Sequence, residues 1–210
     1  MSTAGILQPC HAAPGLAIGD STRPTPNETV VTVGVVNHGL TLAPSPFPAD
    51  DGAASTETRR LLAVAAAPDA EPTAYLRAVA ALCQDRLLVP VAATVTRMGQ
   101  TEGGLASDKE AEMAVVLLQA ADGRRALLAF SGLDALQTWQ GSARPVPVTL
   151  DLAAQAARAE GAAAVLIDCA GPAPLAVEGE VLEHLSAGHR LIETAPREFG
   201  WVVPVHDPGI

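Results

Sequence analysis

The chain has 210 residues, of which 49% are hydrophobic, 17% are charged and only 3% are aromatic, and its formal net charge is −10 at pH 7. This composition excludes wholesale disorder and predicts a substantial core built from Ala, Val and Leu. Small side chains need close packing between elements, which favours helices laid on a sheet. The acidic balance, with scattered basic residues, argues against direct binding to nucleic acid or to an anionic membrane.

The cysteines are widely spaced, at Cys10, Cys83 and Cys169, and form no CxxC pair. Such a set predicts neither a disulfide framework nor a zinc site, and it fits a reducing compartment. The first twenty residues lack a basic segment followed by a continuous apolar stretch, so no secretory signal is expected. The apolar runs are far shorter than the roughly 20 residues that a membrane helix needs. We therefore expect a soluble, cytoplasmic protein.

Residues 1–54 differ in composition from the rest of the chain, because prolines interrupt any helical pattern and Gly, Ser and Thr fill the space between them. We predict a partly disordered, Pro- and Gly-rich arm. Within it, residues 29–36 are β-branched and form either a short strand or an apolar patch. A second interpretation is that translation begins further along the chain than Met1 and that the arm is not native. Both interpretations stay open.

From residue 55 the pattern becomes regular. Apolar residues recurring every three or four positions, or running continuously over strand lengths, separate helices from strands. The predicted helices lie at 56–67, 73–85, 133–140, 151–160 and 178–187. The predicted strands lie at 86–95, 112–119, 125–130, 144–148, 163–168 and 175–177. An irregular tail follows at 191–210, with a possible strand at 201–205.

Two local signals support these boundaries. Pro72 suits the start of the second helix, where its missing N–H costs nothing. Asp122-Gly123 between two apolar strands favours a hairpin, because glycine accepts the positive φ of the turn. Since the early strands arrive as a meander and helices flank both groups, the order predicts one α+β domain at 55–190 with a mostly antiparallel sheet.

Several motifs occur in a fixed order between residues 70 and 188. They are Leu87-Leu88-Val89-Pro90-Val91, Glu112-Met113-Ala114-Val115, Asp122-Gly123-Arg124, Ala129-Phe130-Ser131, Ala135-Leu136 with Trp139, Arg144-Pro145-Val146-Pro147-Val148 and Gly171-Pro172-Ala173-Pro174. Their order resembles the N-terminal domain of the SseB family, the enhanced serine sensitivity proteins of bacteria. The Ala-rich sequence with a single lysine is similar to the SseB-type proteins of high-GC actinobacteria. The resemblance implies a cytoplasmic α/β-type domain with flanking helices and no assigned chemistry.

The strongest candidate nucleophile is Cys169, which follows a predicted buried strand and precedes a Gly-Pro turn, with His184 and His189 further along the chain. The adjacent Asp168 opposes this role, because a neighbouring carboxylate raises the pKa of a thiol. His184 and His189 are five residues apart, about 140° around a helix, with Gly188 breaking the helix between them. This spacing predicts no metal site.

No cofactor site is expected either. The glycine-containing segment 99–104 carries a glutamate, which would repel phosphate, and no Lys-Ser or Lys-Thr pair follows it. Without a catalytic constellation, the sequence favours a non-enzymatic domain that acts through protein–protein association. The alternatives are a small-molecule sensor for an amino-acid-like ligand, which the family's serine-sensitivity label suggests, and a thiol enzyme that uses Cys169.

The candidate partner-binding residues are Lys109, Glu110 and Glu112, together with Trp139. The charged group precedes an apolar strand, where it forms either a recognition rim or a solvated edge that prevents strand aggregation. Trp139 either packs on the sheet or anchors a partner. The partner itself is not identified by the sequence. A homodimer through a free edge of the sheet is a further expectation.

Overall fold

A computed structural model of the chain describes residues 30–33, 47, 50–94 and 112–204. The helices are α1 (Thr56–Ala65), α2 (Pro72–Leu82), α3 (Leu133–Trp139), α4 (Leu150–Ala159) and α5 (Gly179–Ser186). The strands are β1 (Val30–Val33), β2 (Arg86–Thr94), β3 (Glu112–Gln119), β4 (Arg125–Ala129), β5 (Arg144–Thr149), β6 (Ala164–Ile167), β7 (Leu175–Glu178), β8 (Arg190–Ala195) and β9 (Glu198–Val202). The predicted α+β class is confirmed, and β1 lies within the strand predicted for the arm.

A mixed sheet of seven strands lies at the centre, in the order β5-β2-β3-β4-β6-β7, with β1 paired to β3. The pairings are antiparallel except that between β4 and β6, where Leu127 lies opposite Val165 and Ala129 opposite Ile167. Parallel neighbours need a long connection, and here it contains α3, β5 and α4. The carboxyl ends of β4 and β6 therefore meet at one edge of the sheet.

The predicted hairpin at Asp122-Gly123 joins β3 to β4 and is confirmed. Gly123 adopts φ 86°, in the left-handed region that glycine tolerates without a steric cost. Its amide donates to the carbonyl of Ala120 at 2.9 Å, and the Asp122 carboxylate accepts from the Arg124 amide at 3.0 Å. Hydrogen bonds within the turn thus satisfy its backbone amides, and the turn fixes the register between β3 and β4.

Alternate residues of β4, and Phe130 directly after it, face opposite sides of the sheet and enter different core clusters. Leu127 and Ala129 pack with α1, α2, α4 and α5, whereas Leu128 and Phe130 pack with α3. The alanines of α4 at positions 153, 154 and 157 are 0–1% exposed. The core is therefore built from small aliphatic side chains, as the composition predicts.

The segment predicted as an irregular tail forms a hairpin instead. Strands β8 and β9 pair antiparallel, and Leu191 is buried in the main core cluster. The turn between them has no glycine, and Arg197 takes φ 68° there. Pro196 in this turn is a turn signal, but a turn predicts a hairpin only when strands are predicted on both sides of it, and no strand is predicted at 190–195. None of the helices in the described part of the chain has the length and apolar content that crossing a bilayer requires.

Arg77 of α2 connects this hairpin to the helices through hydrogen bonds with Glu193 of β8. Its guanidinium donates to both carboxylate oxygens of Glu193, at 2.9 Å from Nη2 to Oε1 and 3.1 Å from Nε to Oε2. The Arg197 amide donates to Oε1 at 3.0 Å. These hydrogen bonds lower the pKa of Glu193 from 4.5 to about 2, and the one from Arg77 makes the largest contribution.

We expect Glu193→Gln to destabilise the fold at neutral pH, and the difference from the natural chain to shrink as the pH falls. Because the pKa of Glu193 is lower when folded, its stabilisation is present above pH 4.5 and is lost as the pH falls towards 2. Urea midpoints measured at several pH values test this. Glu198→Gln in the same hairpin is the control, and an equal, pH-independent effect of both changes would contradict the expectation.

Candidate functional site

Ser131 and Asp168 meet where the parallel strands β4 and β6 end. The Ser131 amide donates to Asp168 Oδ1 at 2.8 Å, and the Ser131 hydroxyl donates to Oδ2 at 2.6 Å. Both residues are buried, at 4% and 3% exposure. Asp168 adopts φ 48°, a left-handed conformation that Asp accepts more readily than most residues. The turn after β6 thus directs a carboxylate across to the neighbouring strand end.

Arg59 of α1 reaches the same point from the helix layer. Its Nε donates to the Ser131 hydroxyl oxygen at 2.7 Å and lies 3.8 Å from Asp168 Oδ2. Its Nη2 donates to Asp134 Oδ1, in the first turn of α3, at 2.6 Å. Hydrogen bonds therefore run from Arg59 through Ser131 to Asp168, so that a helix and two strand ends are joined by one polar chain.

Arg86, the first residue of β2, holds Ser131 from the other side. Its Nη1 donates to the Ser131 carbonyl at 2.6 Å, its Nε to Asp50 Oδ2 at 2.7 Å and its Nη2 to the Ala53 carbonyl at 2.7 Å. Its hydrogen bond to Asp50 lowers the pKa of that carboxyl group. A Cβ added to Gly132 would lie 2.8 Å from Ala54 Cβ, so the segment before α1 packs directly on this loop.

The two carboxylates beside Arg59 have opposite pKa shifts. Burial raises the pKa of Asp168, although the hydrogen bonds from Ser131 and the charge of Arg59 act in the other direction. At Asp134 burial also acts upwards, but hydrogen bonds from Arg59 and from the Ala135 amide, with the Arg59 charge, bring its pKa below the usual range. The Asp134 side chain is 70% exposed, so this charge remains accessible to solvent and to ligands.

A cavity of about 380 Å³ opens beside this polar chain. Its polar lining comes from Arg59, Asp134, Thr138 and Asp168, and its walls are the small residues of α1, α3 and the loop after β6. It lies outside the carboxyl ends of neighbouring parallel strands, the place where open α/β sheets commonly bind ligands. A second cavity, of about 240 Å³, lies on the Arg86 side of Ser131.

The predicted partner-binding residues are not brought together at this site. Lys109 and Glu110 lie outside the described residues, and Glu112 is the first residue of β3, opposite Thr94. Trp139 is 2% exposed, with its ring 5.5 Å from that of Phe130. It therefore packs on the sheet, which is one of its two predicted roles, and offers no surface to a partner in this conformation.

The residues of the thiol-enzyme alternative do not line the cavity, although the two chain neighbours of Cys169, Asp168 and Ala170, do. Cys169 is 2% exposed and belongs to the core cluster that packs with α3. His184 and His189 contact each other at the end of α5 instead. An accessible nucleophile next to a histidine base is the arrangement that thiol catalysis requires, and these positions do not provide it.

Sequence reasoning missed the polar chain itself. Its available signal was that two apolar strands, β4 and β6, are closely followed by Ser131 and Asp168. That signal becomes informative only when the strands are known to be parallel neighbours, because only then do the two side chains share an edge. The periodicity of each segment, considered alone, contains no information on that pairing.

We expect Asp168→Asn to lower the free energy of unfolding by about 2 kcal/mol, because an amide nitrogen would face the Ser131 hydroxyl and Arg59 in place of an acceptor. Asn keeps the shape of the side chain and tolerates the left-handed backbone. Asp134→Asn changes an exposed partner of the same arginine and should cost at most about 1 kcal/mol. Urea denaturation measures both, and equal losses would contradict a central role for Asp168.

Comparison with known proteins agrees with this architecture. Residues 59–184 match the family model described as the SseB protein N-terminal domain. The search of the curated proteins and that of the solved structures gave no match. The family match begins at Arg59 and includes Ser131, Asp134 and Asp168. Because it spans well over half of the 210 residues, the chain belongs to the SseB family.

Proposed function

We propose that this SseB-family domain works by binding rather than by catalysis, and that the cavity beside Arg59 holds a small zwitterionic molecule of the amino-acid type. The observation that carries the proposal is the contact between Arg59 and Asp134 at the cavity, with opposite charges 2.6 Å apart. A guanidinium recognises a carboxylate through paired hydrogen bonds, and a carboxylate accepts an ammonium group. The carboxylate of an amino acid can therefore bind Arg59, and its ammonium group can bind Asp134.

The Arg59 side chain is arranged to accept such a ligand. Its Nε is committed to Ser131 and its Nη2 to Asp134, while its Nη1 has no partner among the described residues. The Asp134 carboxylate is 70% exposed, so exchanging its hydrogen bond with Arg59 for one to a ligand costs little desolvation. The ligand would then lie between the two charges, with its side chain against the alanine walls.

The volume and the lining of the cavity limit the ligand to a small one. About 380 Å³ lies at the lower end of the range for ligand pockets, which is about 300–1,000 Å³. Ala63, Ala66, Ala135 and Ala170 contribute short apolar walls. Because these walls are apolar, they favour an uncharged aliphatic side chain over a charged one.

The non-catalytic part of the proposal is supported by the state of Ser131. Its hydroxyl group donates to Asp168 and accepts from Arg59, and the residue is 4% exposed. A serine nucleophile needs an accessible oxygen and a base that takes its proton. The buried Asp168 carboxylate instead accepts hydrogen bonds from both the hydroxyl and the amide of Ser131, which suits a residue that stabilises the fold.

Thermal unfolding with a panel of L-amino acids tests the proposal. A ligand at 100 times its dissociation constant adds about 2.7 kcal/mol, which corresponds to a rise in Tm of about 5–10 °C for a chain of this size. Ala63→Leu should abolish the rise, because the larger side chain fills part of the cavity. Ala159→Leu is the matched control, since Ala159 is exposed on α4 and lies outside the cavity lining.

The panel also defines what would contradict the proposal. If no amino acid raises the Tm, the domain is not an amino-acid sensor. If a rise survives unchanged in Ala63→Leu, the ligand binds away from this cavity and the assignment of the site is wrong.

Protein–protein association is a second candidate function, and the edge of β9 favours it. Among the described residues β9 pairs only with β8, in a two-stranded sheet. At its carboxyl end Val202 is 37% exposed and Val203 is 69% exposed. Proteins usually protect such an edge with charges or prolines, and here Glu198 and Pro204 stand at the two ends of the exposed segment. The two exposed valines between them are the apolar part of the edge to which a partner strand can add. We propose a second copy of the chain as that partner.

Native mass spectrometry of the full chain tests the association. The natural chain should give a dimer, and Val203→Lys should shift it to the monomer because a charge at the edge opposes strand pairing. Leu152→Lys alters another exposed apolar residue, on α4 at 48% exposure, and should leave the dimer intact. A monomeric natural chain, or equal effects of the two changes, would contradict the β9 interface.

A further inference from the structure

His184 and His189 lie in contact although the helix between them ends. Their Nδ1 atoms are 3.1 Å apart in hydrogen-bond geometry, and the ring centroids are separated by 5.4 Å. A hydrogen bond at this contact requires that one Nδ1 carries a proton and that the other accepts the hydrogen bond. Two imidazole nitrogens that face each other at this distance are a pair of potential metal ligands.

The backbone at the end of α5 brings the two rings together. The His189 amide donates to the His184 carbonyl at 3.1 Å, and the Gly188 amide donates to the Leu185 carbonyl at 2.8 Å. Gly188 adopts φ 82°. This is the Schellman motif, in which the third residue before the cap and the second after it approach each other. On a continued helix the two histidines would lie on different faces. Gly188 instead ends the helix and turns the chain back, so that the two side chains are in contact.

Trp201 of β9 supports the pair from outside the helix. Its ring stacks on that of His184, with centroids 4.5 Å apart and an interplanar angle of 18°. Packing of this kind fixes the orientation of an imidazole and lowers the cost of ordering it when it binds a metal. The hairpin that the sequence did not predict therefore contributes the third ring of the cluster.

We propose that His184 and His189 form a chelating site for a divalent transition metal, with Cu²⁺ the preferred ion. With metal–nitrogen bonds of about 2.05 Å, the Nδ1 separation of 3.1 Å corresponds to an angle of about 98° at the metal. This angle lies between the square-planar and the tetrahedral value. On binding, the proton on the donating Nδ1 transfers through solvent to Nε2 of the same ring. Both Nδ1 lone pairs are then available to the metal, and the net charge of the histidines does not change.

The number of ligands sets the character of the site. In the part of the chain that the structure describes, no group of three or more His, Cys, Asp or Glu side chains is arranged to hold a metal ion. Water or an exogenous ligand therefore fills the remaining positions, as in an exchangeable site rather than a closed structural one. Imidazole pairs bind Cu²⁺ more strongly than Ni²⁺ or Zn²⁺, which follows the Irving–Williams order.

Quenching of tryptophan fluorescence by Cu²⁺ tests the proposal, because Trp201 lies against a proposed ligand. The chain has two tryptophans, so Trp139→Phe leaves Trp201 as the sole reporter in the full chain, purified without a histidine tag. We expect saturable quenching at one equivalent of Cu²⁺. His184→Gln and His189→Gln, in the same background, should each raise the dissociation constant at least tenfold, and His206→Gln should leave it unchanged.

Two further variants separate the ligands from the backbone that positions them. Gly188→Ala keeps both histidines but strains the turn, so it should also weaken Cu²⁺ binding. Gly123→Ala imposes a similar φ penalty at the β3–β4 turn and should leave the binding constant unchanged. Circular dichroism verifies that each variant is folded.

Electron paramagnetic resonance provides a second measurement that does not depend on fluorescence. The Cu²⁺ spectrum of the natural chain should show coupling to two imidazole nitrogens, and that of His189→Gln to one. The proposal is overturned if the natural chain shows no saturable binding, if His184→Gln and His189→Gln bind as the natural chain does, or if His206→Gln removes the binding.

Discussion

Every polar group of Ser131 is hydrogen-bonded, and the arrangement of the domain depends on these bonds. Asp168 accepts from its amide and its hydroxyl, Arg59 donates to its hydroxyl oxygen, and Arg86 donates to its carbonyl. These partners come from the end of β6, from α1 and from the start of β2. Since a buried polar group without a partner costs about as much as a lost hydrogen bond, the elements cannot shift independently of one another. One residue thus sets the relative positions of the helix layer and two parts of the sheet.

The sequence predicts the local elements well, and the tertiary arrangement much less well. Strand β3 and its turn at Gly123 are predicted to the residue, because alternation and turn chemistry act over a few positions. The polar chain depends on the parallel pairing of β4 with β6, which is a contact across a long connection. The hairpin of β8 and β9 turns at Arg197 without a glycine, and the histidine pair depends on the reversal at Gly188. The first case depends on a contact between distant segments and the other two on local turns of the backbone, and the periodicity of apolar residues reports neither.

A single compositional bias accounts for both the dense core and the cavity. On α4 the buried alanines allow the helix to approach the sheet closely, and no space remains between them. Between α1 and α3 the same residue type, at Ala63, Ala66 and Ala135, faces a gap that the short side chains do not fill. The difference is that α1 and α3 are linked here by the long side chain of Arg59 and its ion pair with Asp134, and not by packed alanines. A long polar side chain thus spans the space that the small residues leave.

Residues outside the family match contribute to the fold, as the hydrogen bonds between Arg86 and residues 50–53 show. The family match begins at Arg59 and ends at His184, yet Asp50 and the Ala53 carbonyl accept two of the hydrogen bonds from an arginine side chain that is only 10% exposed. Beyond the other end of the match, Leu191 is buried in the main core cluster. A fragment cut at the limits of the family match would thus expose a charge at one end and an apolar patch at the other. The interactions that hold the domain together therefore extend beyond residues 59–184 at both ends.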